Sequence, residues 1–331
     1  MFAIKYKKIF LIIAAVLMVG SLLIIGTVGL KAGIDFSGGS LTEVVYNETT
    51  PAKEAVEEVV ESLNLGGFSV RESVDESGRD AYLVRTRDLS ESERVQVAES
   101  VISLGAGGEI TRFTSVGPVM GKELRDKAMW AIGGVALIII LYVAFAFAGI
   151  GQPVSSWIYG GITILVLIHD ILVPTALMSI LGVVSGIEID VLFVMALLAI
   201  LGYSVNDTIV IFDRVRENLV ANRTEEKIKR NEVGIVREEI KYTLTKPFAE
   251  IVGEAINKTI ARSINTSITT LLALTALYFI GGDVTETFAL ILIAGVLAGT
   301  YSSICIASPL LVTYADWQAK KQKVETEVKN S

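Results

Sequence analysis

The chain has 331 residues, 52% hydrophobic and only 20% charged, with a formal net charge of −7 and a mean hydropathy of +0.57. Soluble domains carry about a quarter charged residues, and long apolar stretches mark transmembrane helices, so this is not an ordinary soluble domain. The acidic balance argues against a nucleic-acid surface, and the single cysteine, Cys305, rules out an internal disulfide.

Six apolar stretches, at about 9–30, 128–149, 157–183, 189–212, 264–281 and 287–315, each hold eighteen or more residues. That length crosses a hydrocarbon core of about 30 Å at about 1.5 Å per residue. A polytopic α-helical membrane protein with six transmembrane helices is predicted. The first stretch is about twice the length of a signal-peptide core and shows no A-x-A-like cleavage site, which predicts an uncleaved anchor. All 29 Lys and Arg residues fall outside the spans: three before the first, eleven in 31–127, eleven in 213–262 and four after 315. The turns at 184–188 and 282–286 carry Glu188, Asp283 and Glu286 and no base. By the positive-inside rule those turns face outward. Residues 1–30 then form a cytoplasmic N-terminus and the first span, 31–127 an extracytoplasmic domain, 213–262 a cytoplasmic loop and 316–331 a cytoplasmic tail.

Along the external segment, SLTEVVYN (40–47) alternates as a strand does, and Pro51 opens a helical run that Gly66 and Gly67 should end. FSVRES (68–73) and DAYLVRT (80–86) have strand character, Ser90 with Glu93 forms a capping box for a helix to about Leu104, and EITRFTSV (109–116) supplies a last strand. The order β-α-β-β-α-β is that of a small ferredoxin-like α+β domain. It holds no His, Cys or clustered metal ligands, so a contact module is preferred over a structural cap. Glycine-rich joints bracket it: GIDFSGGS, with Gly33, Asp35, Gly38 and Gly39, and VGPVMGKEL, with Gly117 and Gly121. Neither fits a P-loop. Glycine permits φ > 0 where a helix turns sharply into a sheet, and the same freedom would serve a hinge.

Two carboxylates fall inside apolar runs. Asp170, beside His169 (the sole histidine), sits about thirteen residues from either end of its span, four residues before Pro174. Asp207, beside Asn206, lies about 9 Å from Asp213 at the inner end. An ionised carboxylate at mid-membrane costs roughly 2.5–3.5 kcal/mol on insertion scales, and intramembrane acids of this kind mark proton relays. Each acid has a second reading, as a static interhelical hydrogen-bonding group. Asp213, Arg214, Arg216 and Glu217 read first as a solvated helix exit. Ser263, Thr266, Ser267 and Thr270 fall at i, i+3, i+4 and i+7, a polar stripe suited to helix packing or to a water-lined edge.

GIDFSGG at 33–39, VGPVMGKEL at 116–124, HD at 169–170, GYSVNDTIVIFDRVREN at 202–218 and RSINTSITT at 262–270 together resemble the SecD/SecF family of bacterial protein export, and within it the half that pairs with SecD. The family shares the resistance-nodulation-division (RND) architecture of six spans per half. The resemblance implies an accessory subunit that uses the proton gradient to help preproteins leave the Sec translocation channel on the outer side of the plasma membrane, with a SecD-like subunit as partner. It implies Asp207 as the proton-handling acid, with Arg262 as its basic partner and a coupling role for Asp213–Glu217. Depth and surroundings favour Asp170 instead, and the sequence leaves the choice open. The stretch KIKRNEVGIVREEIKYTLTKPF departs from the family pattern. No cofactor motif, metal-ligand cluster or catalytic constellation is present, so no enzyme is expected. The rival reading is a half-size RND proton antiporter of a small molecule, against which stands the small size of the external domain.

Overall fold

The computed structural model describes residues 2–330 apart from 76, 148–153 and 233–234. A short helix α1 (Phe2–Lys5) leads into α2 (Lys7–Val28), the first span. The chain then forms α3 (Ile34–Ser37), β1 (Gly39–Tyr46), α4 (Lys53–Ser62), β2 (Ser69–Val74), β3 (Asp80–Thr86), α5 (Glu91–Ile102) and β4 (Gly108–Val116). It returns as the spans α6 (Pro118–Ala146), α7 (Ser156–Val184) and α8 (Val191–Ala221). A hairpin of β5 (Arg223–Glu232) and β6 (Ile235–Leu244) leads to α9 (Phe248–Ile280). The sixth span joins α10 (Asp283–Ser302), a π-helical turn (Ser303–Ala307) and α11 (Ser308–Asn330). Six helices are thus long and apolar enough to cross a membrane.

Several spans overrun their apolar stretches. Helix α6 starts at Pro118, α8 continues to Ala221 and α9 starts at Phe248. The segment 213–262, expected as a loop, is therefore helical at both ends. Once a helix is nucleated each added residue gains a backbone hydrogen bond, so polar flanks extend it beyond what hydropathy marks. Residues 148–149, expected at the end of the second span, lie outside the described residues.

The external domain has the expected β-α-β-β-α-β order, and its antiparallel sheet runs β2-β3-β1-β4. Alternation assigns its two faces. Val44, Tyr46, Val70, Tyr82 and Val84 point into a core shared with Val56 and Val60 of α4 and Val97 and Val101 of α5. The intervening residues, among them Arg71, Leu83 and Arg85, turn the helix-free face towards the ends of α8 and α10 nearest this domain, where Phe193, Phe288 and Ile291 help line a cavity of about 250 Å³. The Ser90–Glu93 capping box forms as expected. Helix α4 stops earlier than Gly66: it ends at Ser62, and Asn64 takes the left-handed conformation (φ 50°), which its short polar side chain tolerates.

The two glycine joints pack against each other. A Cβ on Gly121 would lie 2.8 Å from the Gly38 nitrogen, and one on Gly38 (φ 76°) 2.8 Å from Cα of Pro118. Gly117 has open space at that position and serves as the residue before Pro118. The first joint is also tied to the α7–α8 turn. Gly33 N–H donates to the Ile189 carbonyl and Ile189 N–H to that of Lys31, both at 2.8 Å. Asp35 accepts from the Val191 N–H at 3.1 Å, at the start of α8. Arg85 of β3 forms an ion pair with Glu188.

Within the membrane, α8 packs against α6, α7, α9 and α10, while α2 lies against α7 at the periphery. Close approach of α8 and α10 rests on Gly295 and Gly299, a G-x-x-x-G pair. A Cβ on Gly295 would fall 2.2 Å from Cδ1 of Ile200, and one on Gly299 3.2 Å from Cβ of Ser204. Two apolar clusters form. Phe36, Met178, Phe193, Leu197, Ile200 and Ile291 pack near the external domain, and Phe147, Tyr159, Phe212, Val215 and Ile251 pack near the opposite end.

Candidate functional site

Asp170, His169, Ser204, Asp207, Thr208, Ser263, Ser302 and Ser303 are buried polar side chains on the spans that also carry the two apolar clusters. Helix α7 supplies His169 and Asp170, neither exposed to solvent. His169 Nδ1 lies 2.8 Å from Asp170 Oδ1. Asp170 Oδ2 accepts from Ser204 Oγ of α8 and, at 2.7 Å, from Ser302 Oγ at the end of α10. Asp170 therefore ties α7 to α8 and α10 through the two serine hydroxyls, the His169 contact lying within α7. Ser302 is the last α-helical residue before the π turn, a feature that re-aims side chains and concentrates at functional sites. Pro174 stays inside an unbroken α7. It has no N–H to offer the Asp170 carbonyl.

Asp207 stands three residues beyond Ser204 on α8, so about 4.5 Å of axial rise carries the polar layer from one carboxylate's neighbourhood to the other. Its neighbour Thr208 is 3.2 Å, hydroxyl to hydroxyl, from Ser303, the residue after Asp170's partner Ser302. Asp207 is only 6% exposed, and its Oδ2 has no hydrogen-bond partner among the described residues. The buried Ser263 hydroxyl of α9 is also unpartnered.

The remaining expected site residues separate. Arg262 is exposed on α9; among the described residues it makes no direct ion-pair contact with Asp207, although its charge acts on that carboxylate. Asn206 is exposed, away from Asp207, because adjacent helical residues point about 100° apart. The hydroxyl stripe also divides. Ser263 and Ser267 are buried, with Ser267 2.6 Å from Thr300, whereas Thr266 is exposed and donates to the Arg262 carbonyl of its own helix. Asp213 is exposed on α8; Arg214 pairs with Glu217 at 2.5 Å, and Arg216 reaches the Ala146 carbonyl at the end of α6 at 3.5 Å. Ser204, Thr208, Ser302 and Ser303 escaped sequence reasoning. The available signal was Gly295-x-x-x-Gly299, which draws α10 onto α8.

The model of the family "Protein export membrane protein SecD/SecF, C-terminal" matches residues 96–317. A protein translocase subunit SecF from Sebaldella termitidis is 35% identical over 87% of this chain and 83% of its own length. Another from Thermobaculum terrenum is 33% identical over 87% and 86%. Among solved structures, the crystal structure of SecDF, a translocon-associated membrane protein from Thermus thermophilus, superposes with a TM-score of 0.76 at 30% identity. The match covers 95% of this chain and 38% of that longer one. A SecDF structure in a super-membrane-facing form gives 0.61 at 29% identity, over 98% and 39%. The order of spans and the position of the single external domain agree with these relatives. The chain belongs to the SecD/SecF family of protein-export membrane proteins.

Proposed function

We propose that this multi-pass membrane protein is an accessory subunit of Sec-dependent protein export that works with a SecD-like partner and draws on the proton gradient through Asp207. The observation that carries the proton reading is the buried carboxylate oxygen of Asp207 left without a donor beside an unpartnered Ser263 hydroxyl. The Ser263 hydroxyl can donate to ionised Asp207 and accept from the protonated form, whereas only the ionised form attracts the Arg262 cation, so the two charge states favour different placements of α9. Arg262, exposed on α9 and already acting on Asp207 through its charge, would pair with the ionised form after a modest movement of α9.

The SecD partner has its own support. The Thermus thermophilus relative named SecDF matches over 80% of this chain but only 32% of its own length, which leaves room for a second half. In this chain Asn206, Arg262, Asn265, Thr266 and Thr269 are exposed at mid-helix positions. Polar groups facing lipid are costly, and a second six-span unit against α8 and α9 would cover them. With both termini and the β5–β6 hairpin in the cytoplasm of a bacterial cell, the ferredoxin-like domain stands outside, beside the channel exit, where it would meet the preprotein. The joints at 33–39 and 117–121 would carry motion to it.

The test is export into inverted membrane vesicles holding the chain and its SecD-like partner, with and without a proton gradient. Asp207→Asn keeps size and polarity but does not titrate. Gradient-dependent stimulation should disappear while co-purification with the partner persists. Normal stimulation by the variant would refute the proton role of Asp207, and loss of co-purification would make the residue structural.

A further inference from the structure

A crevice of about 880 Å³ opens between the free edge of the external sheet and the outer ends of α2 and α7. In an acidic chain its lining is basic: Lys31, Lys53, Arg71, Arg85 and Arg87 against Glu72 and Glu188. Three of the bases are already engaged. Arg85 binds Glu188 and the Ser37 hydroxyl, Arg87 binds Glu93, and Lys53 stands 3.5 Å from Glu57. Lys31 and Arg71 have neither an ion pair nor a side-chain hydrogen bond among the described residues.

Both free cations are nonetheless seated. The stem of Lys31 lies on Gly182, where a Cβ would come 3.7 Å from Lys31 Cγ. Arg71 lies over Gly186 (φ 66°), its Cδ 3.7 Å from the corresponding position. These two glycines flank the end of α7 at Val184. Lys31 itself follows the end of α2 by three residues. The charges therefore sit at the level where two spans leave the hydrocarbon. The α7 end of the lining is apolar and open: Val184 is 76% exposed, next to the exposed Val183.

We propose that this crevice binds the phosphate of an anionic phospholipid from the leaflet on the side of the external domain. An Arg guanidinium offers a phosphate two parallel hydrogen bonds, and a Lys adds a point charge. The acyl chains would descend along the exposed ends of α2 and α7. A bound lipid would bridge β2 to the membrane beside the Gly33–Ile189 contact and reinforce it. This inference does not depend on the proton reading.

Native mass spectrometry of the full chain, released from bilayers of phosphatidylglycerol and phosphatidylcholine with matched acyl chains, tests it. Wild type should retain phosphatidylglycerol in preference to phosphatidylcholine. Lys31→Gln with Arg71→Gln should reduce that retention by about tenfold or more, from roughly fivefold per basic side chain near an anionic surface. The charge-keeping pair Lys31→Arg with Arg71→Lys should restore most of it, which separates lost charge from lost fold. Equal retention of the two lipids, or undiminished retention by the Gln pair, would overturn the proposal. So would glycerol phosphate without acyl chains competing as tightly as the lipid, or an acidic peptide displacing it, since the site would then serve a soluble phosphate or a protein segment.

Discussion

Asp170 and Asp207 are buried carboxylates served by the same helix, α8, yet their surroundings differ in kind. Asp170 accepts from Ser204 and Ser302 and its other oxygen lies 2.8 Å from His169 Nδ1, so both of its oxygens are occupied. Asp207 keeps one oxygen without a donor. The Ser204 and Ser302 hydroxyls hold Asp170 Oδ2 against α8 and α10, so altering that group disturbs three spans at once. Asp207 has no such network, and the Ser263 hydroxyl beside it can donate to a carboxylate or accept from a carboxylic acid. Depth in the membrane, which favours Asp170 in the sequence, therefore marks burial as readily as proton traffic. On the proposed reading Asp170 holds the bundle and Asp207 responds.

The largest effect should follow from forcing the shared helix away. In Gly295→Leu the new Cβ would meet Ile200 at 2.2 Å, against a side chain fixed within the apolar cluster. Overpacking of this kind costs about 1–3 kcal/mol and sometimes more. Separating α10 from α8 would also withdraw Ser302 from Asp170. A lowered melting temperature and a broadened size-exclusion profile in detergent are expected. A variant that melts with the wild type would mean that the α8–α10 contact does not hold Asp170's neighbourhood together.

Exchanging the two acids for their amides sharpens the contrast. Asp170→Asn replaces one of two oxygens by an NH2, facing either the two serine hydroxyls or the His169 ring, and a buried polar group that loses its partner costs about 1–3 kcal/mol. It should melt lower than the wild type, and the folded fraction should keep its response to a gradient. Asp207→Asn should melt close to the wild type and lose the response. The opposite pattern, with stability tracking Asp207 and gradient response tracking Asp170, would exchange the two roles.

Ser302→Ala should act in the same direction as Asp170→Asn but more weakly. Hydrogen bonds between spans average about 0.6 kcal/mol in double-mutant cycles. Ser204 and His169 remain to hold Asp170. A shift in thermal unfolding smaller than that of Asp170→Asn is expected. Equality of the two would mean that Ser302 alone fixes the carboxylate.

How far these neighbourhoods were legible depends on the range of the interaction. The six spans, the capping box at Ser90 and the β-α-β-β-α-β succession of elements follow from local periodicity, and each appears. The π turn at 303–307 and the hydroxyls on Asp170, which come from residues 34 and 132 positions away, depend on how α10 settles against α8. Asn206 was grouped with Asp207 because they are adjacent, although the helical twist separates adjacent residues. That much could have been computed from the sequence. The absence of an Arg262–Asp207 pair could not, because it depends on the rotation of α9.

A carboxylate outside the membrane gives the smallest and cleanest test of what partners do to an acid. Glu93 accepts from Arg87, from the Ser90 N–H at 2.9 Å and from the Ser90 hydroxyl at 2.8 Å. The Arg87 guanidinium first, and the Ser90 groups after it, hold its carboxyl down at about 2, against an ordinary value of 4.5. The folded value is depressed, so the contribution to stability is fully present above about 4.5 and is lost as pH falls from there towards 2. Because the pair is solvent-exposed, the effect should be confined to the first turn of α5 and should shrink in high salt. Hydrogen exchange of the α5 amides in the intact chain, followed from pH 5 to pH 3 and corrected for intrinsic rates, should show protection falling in the wild type. Glu93→Gln should show lower protection at pH 5 and little further change. If the wild-type profile is as flat as the variant's, the charged cap does not hold α5, and the Arg87 and Ser90 bonds to the carboxylate are not enough to lock it in place where water competes with them.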